Sequence, residues 1–361
     1  MSAPVISAWT AISPYGYDRA AFAGGIRARR GTAATAHPDV PEDTACTVPG
    51  FDPREFFGPK GTRAMNRVSG LTVAAAKHLL ADIGVAPGEG SEDVGFVLGT
   101  TTGSAQSMMD LTRASLTGDK PDHVEPAAVP GCVMNCAAGQ AAIWHGLKGP
   151  NATIAAGRTT GLQALNYARR LLRTGRAGQV LCGAAEEYSS ARSWLEHHRR
   201  ANGGAVRVMA EGCAMFLLEP ADRVGAGRTV LATLSGLESR VCLDSDLSGA
   251  IGTAVRSLLE RSGVPAERVW AATGSDFLDA DGTAVESIAL RALFGDEVVD
   301  RVPPAGLIGD TSSATALFQL AAVLSVAEPG RGARDHAVVT ACDDDGSVAC
   351  ALFELGGEPG A

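Results

Sequence analysis

Positive charge is in short supply in this chain: 31 lysines and arginines face 40 aspartates and glutamates, giving a formal net charge of -9 and a pI near 5.3. That balance argues against general binding to nucleic acid or to an anionic membrane. Long apolar runs are missing too. The longest helical one, near Ala314–Ala327, contains Gln319 and is too short to span a bilayer. The opening stretch MSAPVISAWTAISPYGYDR has no cationic start followed by an apolar run, so no signal peptide and a soluble cytoplasmic protein are expected. No metal-ligand spacing is present. Of eight scattered cysteines only Cys132 and Cys136 lie close together, with neither a second pair nor a nearby His pair to complete a zinc site. Most cysteines sit beside Ala, Val or Leu, as buried thiols do. The segment GTTTGS lacks the downstream Gly-Lys-Ser/Thr of a phosphate loop. Finally, no histidine occurs between His198 and His336.

What is present suits a large α/β protein. The 361 residues are 45% hydrophobic and 20% charged, enough for a sizeable core in two domains or one duplicated unit. Val94–Leu98 reads as a buried strand ending in a Thr/Gly loop, and Thr153–Ala156 as another, running through Gly157–Gly161 into a helix with Leu162, Leu165, Ala168, Leu171 and Leu172 on one face. Gln179–Cys182 and Cys213–Leu218 read as further strands, so strands feed helices. Arginines cluster at Arg27–Arg30 and at Arg169, Arg170, Arg173 and Arg176; the second group falls in a helix's last turns, where cations complement the macrodipole and a solvated helix end accounts for them. VLCGAAEE (Val180–Glu187) is echoed by VVTACDDD (Val338–Asp345), and CAMFLLE (Cys213–Glu219) by CALFEL (Cys350–Leu355). The helix after Gly161 has a counterpart in Thr311–Val326. These echoes suggest two halves, 1–225 and 226–361.

Taken in order, VISAWTAISPYG, FDPREFFGPKGTRAMNRVSGLTVAAAKHLLADIGV, GFVLGTTTG, NCAAGQAAIWHGLKGPNATIAAGRTTGLQAL and AEGCAMFLLEPADR resemble the β-ketoacyl synthases along nearly the whole chain. The resemblance implies a thiolase fold, an α/β duplicated five-layer αβαβα architecture, with no cofactor and no metal. It also implies a chemistry of three groups: a Cys at a strand-to-helix turn that is acylated, and two His residues that assist decarboxylation of the extender thioester. Here the nucleophile turn reads Gly157-Arg158-Thr159-Thr160-Gly161, so Arg158 stands where the Cys belongs. Counted back from Glu286, the first His position falls on Ser275 in ATGSDFLDADGTAVES. The second becomes Asp310 in GLIGDTSSA, the upstream Lys falls near Ala305, and the Gly-rich loop is replaced by Cys342-Asp343-Asp344-Asp345-Gly346.

Arg158 cannot serve as a nucleophile, because guanidinium stays protonated at any working pH. A cation before a helix N-terminus also opposes the macrodipole, by roughly 0.3–1 kcal/mol when exposed, and costs more when buried unless paired. Asp310 stands opposite the nucleophile in the family pattern, so an Arg158–Asp310 salt bridge filling the former active site is expected; the alternative is that Arg158 points to solvent or to a partner chain. His197 and His198 in SWLEHHRR read as a solvated face rather than a ligand pair. Asp343–Asp345 read as a solvated or cap-forming loop, since consecutive extended residues point to alternate sides.

Four-residue spacing puts Met108, Thr112 and Leu116 on one helix face, which by resemblance lines the acyl tunnel at the dimer interface and would limit chain length; ordinary interface or core packing is the alternative. Ketosynthase-like chains without the Cys–His–His set resemble the chain-length factors of type II polyketide systems, although these often carry Gln at the nucleophile position, from which Arg158 departs. The region between Ser190 and Glu211 is condensed, as in the compact factors of polyene-forming, highly reducing systems. The resemblance therefore implies a subunit that is inactive alone, forms a heterodimer with a catalytic ketosynthase, and meets acyl carrier protein mainly through that partner. Two other readings are an acyl-thioester enzyme rebuilt around Arg158 and Asp310, and a stand-alone homodimer that binds acyl groups without acting on them.

Overall fold

The computed structural model describes residues 3–37, 40–63, 65–84, 92–200, 207–225, 227–279, 281–327 and 335–356. The strands in chain order are β1 (Val5–Ile12), β2 (Thr35–Ala36), β3 (Thr44–Cys46), β4 (Val94–Gly99), β5 (Asn151–Ile154), β6 (Gln179–Glu186), β7 (Met209–Ala210), β8 (Gly212–Glu219), β9 (Ala232–Val241), β10 (Val269–Thr273), β11 (His336–Cys342) and β12 (Ser347–Leu355). The helices are α1 (Arg19–Arg27), α2 (Pro53–Phe57), α3 (Arg67–Asp82), α4 (Ala105–Thr117), α5 (Cys136–His145), α6 (Thr160–Arg173), α7 (Ser190–Arg200), α8 (Leu247–Ser262), α9 (Val285–Phe294), α10 (Asp296–Val299) and α11 (Thr315–Val326).

Nine strands join in the order β10-β11-β12-β9-β1-β8-β6-β4-β5. The same run of pairings occurs twice. β4 is parallel to β6, which is antiparallel to β8, which is antiparallel to β1; β10 is parallel to β11, then antiparallel β12 and β9 follow. The echoed segments fall on β6 and β11, and on β8 and β12, which hold the same places in the two runs. Strands β1 and β9 meet only at Val5–Thr233 and Ile6–Ala232.

Successive side chains of a strand point to opposite faces, and here both faces are covered, which is why these strands read as nearly continuous apolar runs. On β4, Phe96 and Leu98 pack under α3 and α5, whereas Val97 faces inward towards α6. The inner layer holds α1, α6 and α11, with Phe22, Leu162, Leu165, Leu317 and Phe318 between Val180 and Phe216 of one run of strands and Val339 and Phe353 of the other. Beyond the second run lie α8 and α9, with Ile251, Val255 and Leu290 against Val338 and Leu352. The result is the five-layer αβαβα thiolase fold.

Helix α11 is apolar all round because it is buried all round, which explains the apolar stretch seen in the sequence. Among the described residues no helix is long and apolar enough to cross a membrane. Two boundaries differ from the sequence reading. The strand expected at Thr153–Ala156 is Asn151–Ile154, because Ala156 is already in the turn, bridged to Arg158. The helix expected from Thr311 starts at Thr315 after a 3-10 turn, because the Asp310 carboxylate takes the Ser312 N–H.

Trp9, Phe22 and Phe318 stack edge to face and tilted, with centroids 6.0 and 5.7 Å apart, and tie β1, α1 and α11 together. Truncating Phe318→Ala should lower stability by about 3–5 kcal/mol in urea unfolding. A loss below about 1 kcal/mol would remove Phe318 from the centre of this packing.

Candidate functional site

The site is built where β5 turns into α6. Gly157 adopts φ +56, and a Cβ there would come 1.9 Å from Asp343 Oδ2, so the turn demands glycine for both conformation and space. The Arg158 N–H donates to Asp343 Oδ2 at 2.7 Å, the Ala156 N–H to Thr160 Oγ1 at 2.7 Å, and Thr159 Oγ1 to the Ala156 carbonyl at 2.8 Å. A carboxylate thus sits at the N-terminus of α6, where the dipole favours it.

Arg158 does pair with Asp310. Its Nη1 donates to Asp310 Oδ1 at 2.9 Å and its Nη2 to Oδ2, a bidentate geometry with both side chains nearly buried. The guanidinium carbon also lies 5.7 Å from the Phe277 ring centroid. Asp310 is fixed by its backbone: its N–H donates to the Val208 carbonyl, and its carbonyl accepts from Ala210, both at 2.8 Å. Its Oδ1 accepts a further bond from the Ser312 N–H at 2.8 Å.

Burial opposes both charges, but each outweighs it for the other. Burial alone would push the Asp310 carboxyl up; the Arg158 charge, its hydrogen bonds and the Ser312 N–H hold it well below the usual carboxylate range. Burial likewise works against the guanidinium charge, and the attraction and hydrogen bonds of Asp310 override it, so Arg158 is held above the ordinary arginine value. A carboxylate held that low is a poor base, and a guanidinium already forked onto it has little left for a substrate oxyanion.

The pair forms one wall of a cavity of about 210 Å³, whose lining also includes Thr101, Arg192, Glu196, Arg199 and Ser312. No cysteine or histidine is among its lining residues. Arg192, Glu196 and Arg199 recur at i, i+4 and i+7 on α7, which puts them on one face. Arg192 pairs with buried Glu186, which also accepts from the Thr101 N–H at 2.7 Å and from Ser313 Oγ. Arg199 pairs with Glu196 at 2.7 Å and with Asp344. The described cations of the cavity are thus each matched by a carboxylate.

The sequence reading singled out Arg158 and Asp310, and the structure brings these two together. Ser275 is not in the cavity lining; its Oγ donates at 2.7 Å to buried Glu286, which also takes the Phe277 N–H at 3.0 Å and Thr340 Oγ1 at 2.8 Å. The Asp343–Asp345 loop is more engaged than expected: Asp343 holds the Arg158 amide, Asp344 holds Arg199, and only Asp345 is a plain cap, on the Ser347 N–H. Among the described residues no His/Cys/Asp/Glu cluster could hold a metal ion. His197 and His198 lie on α7, where His198 stacks on Trp194 and His197 approaches Glu42 at 3.8 Å. Cys342 is the thiol beside the acidic loop, but burial pushes it far above the range in which a thiolate forms. Met108, Thr112 and Leu116 share one exposed face of α4, Leu116 at 79%.

A sequence profile for "Beta-ketoacyl synthase, N-terminal domain" matches residues 18–223. The chain belongs to the β-ketoacyl synthase family. Within it, the chain is similar to 3-oxoacyl-[acyl-carrier-protein] synthase 2 of Rhizobium meliloti (27% identity over 297 residues, 72% of this chain and 69% of that one). It is also similar to the actinorhodin polyketide putative β-ketoacyl synthase 1 of Streptomyces coelicolor (26% over 329 residues, 78% and 67%). Among solved structures, a chain of the ishigamide ketosynthase/chain length factor superposes with a TM-score of 0.90 at 43% identity, covering 98% of this chain and 100% of that one.

Two measurements check the ion pair. Arg158→Ala, which leaves Asp310 buried and unpaired, should cost about 3–5 kcal/mol, whereas Arg158→Met with Asp310→Leu should cost less than that single change. A double variant that loses as much stability as Arg158→Ala, or more, would contradict the pairing. The pH dependence has a definite sign. Because the folded Asp310 pKa is depressed, its contribution is complete above the unfolded aspartate value of about 3.9 and is lost as pH falls from there through the folded value. Melting temperatures across acidic pH should therefore fall less steeply for Asp310→Asn than for wild type; identical slopes would contradict the assignment.

Proposed function

We propose that this chain is a non-catalytic, ketosynthase-like subunit, a chain-length factor of polyketide biosynthesis. It pairs with a catalytic ketosynthase, completes the acyl tunnel, and limits how far a chain on acyl carrier protein is extended. The single observation that carries this reading is the buried Arg158–Asp310 pair, whose groups neutralise each other; on the family spacing, they stand where the acylated nucleophile and one decarboxylating imidazole would be. Acyl capture needs a thiolate, and decarboxylative attack needs hydrogen-bond donors on the extender thioester; the cavity offers neither from a Cys nor from a His. The reading of a rebuilt enzyme is disfavoured by the same geometry, since Asp310 is held ionised and its oxygens are committed.

A partner is supported by what the single chain leaves uncovered. Strand β5 ends the sheet, with one edge unpaired among the described strands. Around it Met108, Leu116, Val133, Met134 and Ile143 are exposed on and between α4 and α5. Large apolar side chains gathered beside an open sheet edge mark a surface that is covered in the working assembly. The face of Met108, Thr112 and Leu116 would then meet the partner and bound the tunnel. We further propose two ketosynthase-like halves, 1–225 and 226–361, supported by the repeated run of pairings, and a cytoplasmic location alongside the carrier protein.

Co-expression with an intact Cys–His–His ketosynthase should yield a stable one-to-one complex that elongates carrier-bound chains. Within that complex Met108→Ala or Leu116→Ala should lengthen the product, read by mass spectrometry. Separate elution of the two chains would overturn the partner, and unchanged product length in both variants would overturn the tunnel role.

A further inference from the structure

The outer face of α6 carries a feature that the subunit reading does not use. Asn166, Arg169, Arg170, Arg173 and Thr174 stand at i, i+3, i+4, i+7 and i+8, so their side chains form one stripe over the last two turns. The stripe bounds a groove of about 380 Å³. Arg158 and the catalytic-type cavity lie at the other end of the same helix, roughly 21 Å away for 14 residues. The groove is therefore no part of that cavity.

Charge bookkeeping shows why a solvated helix end does not account for it. The C-terminal macrodipole offsets about half a unit of charge. Arg169, Arg170, Arg173 and Arg176 bring four, in a chain whose net charge is -9. None of the four makes an ion pair among the described residues, and Arg169 has only the Asn166 side chain, at 2.8 Å. The groups facing the stripe do not help: Arg261 adds a further cation, and its carboxylate, Glu238, is shared with Arg240. Burial first, then the charges of Arg173 and Arg261, lower the Arg169 pKa, which is the sign of a cluster lacking its counter-ion. The cavity cations Arg158, Arg192 and Arg199 are matched by carboxylates, and Arg27 and Arg29 spend donors on the Ser325, Asp300 and Arg301 carbonyls.

We propose that this groove binds a compact polyanion bearing adjacent phosphate groups, either free or as the diphosphate end of a nucleotide or coenzyme. Guanidinium groups present forked donors that fit phosphate oxygens two at a time, and three of them converge here with an amide and a hydroxyl beside them. The volume falls within the range of about 300–1,000 Å³ common to small-molecule sites. A single helix stripe of cations is too small for extended nucleic acid in a chain this acidic. The inference rests on α6 alone and stands or falls apart from the subunit reading.

Calorimetric titration of the full-length chain with inorganic pyrophosphate tests it, with Arg170→Ala/Arg173→Ala as the comparison because both side chains are exposed. The expected result is saturable one-to-one binding that weakens by at least about tenfold in the double variant and falls as salt rises. Arg170→Lys/Arg173→Lys, which keeps the charge and removes the forks, should fall in between. Adenosine diphosphate distinguishes the sources: tighter binding than pyrophosphate assigns a nucleotide-borne diphosphate, and equal or weaker binding assigns the free anion. Absence of saturable pyrophosphate binding, or equal binding by wild type and the alanine variant, overturns the proposal. So does arginine-dependent binding of an oligoglutamate peptide that pyrophosphate does not displace, which would assign the stripe to an acidic protein.

Discussion

A guanidinium and a carboxylate withdrawn together from water govern the centre of this molecule. Neither Arg158 nor Asp310 could be buried alone, because an isolated charge in the interior costs several kcal/mol. Together they are tolerable only if the remaining lone pairs and N–H groups are satisfied. The structure meets that condition on both sides. Ser312 supplies a donor to Asp310, Asp343 accepts the Arg158 amide, and Phe277 offers a ring face to the guanidinium. The constraint spreads outward from there. Gly157 must remain glycine to admit Asp343, and the backbone bonds of Asp310 to Val208 and Ala210 fix the loop that presents it.

The framework makes that arrangement rigid. The turn carrying Arg158 joins the edge strand β5 to the inner helix α6, while Asp310 precedes the 3-10 turn that leads into α11, the other long helix of the same layer. Both helices are locked between the two runs of strands by buried leucines and phenylalanines. A thiolase-fold enzyme uses this frame to hold a nucleophile at a helix N-terminus opposite its imidazoles. Here the same frame holds a closed ion pair between Arg158 and Asp310. Large apolar side chains stay exposed on and between α4 and α5.

The strands were legible because burial on both faces writes them as short apolar runs: Val94–Leu98, Gln179–Cys182 and Cys213–Leu218 all lie within observed strands. The Arg158–Asp310 pair was legible because the family pattern sets the two positions opposite each other, and opposite charges at facing positions imply a pair. Asp343 was harder to read. It lies 185 residues from Arg158, and alternation along an extended chain says which side a residue faces but not what it meets. A carboxylate in the loop that replaces the Gly-rich segment was the available cue. Arg192 with Glu186 and Arg199 with Asp344 were missed because α7 was read as a solvated polar stretch, whereas its i, i+4, i+7 face turns into the cavity. Ser275 lies outside the cavity lining and serves Glu286, a buried carboxyl that nothing in the local sequence announces.

The central claim is that the cavity does not capture acyl groups. Intact-mass analysis of the purified chain after incubation with acyl and malonyl thioesters of a carrier protein tests it most directly. The account predicts an unchanged mass and no release of carbon dioxide; a stoichiometric acyl adduct, or decarboxylation that disappears in Asp310→Asn, would contradict it.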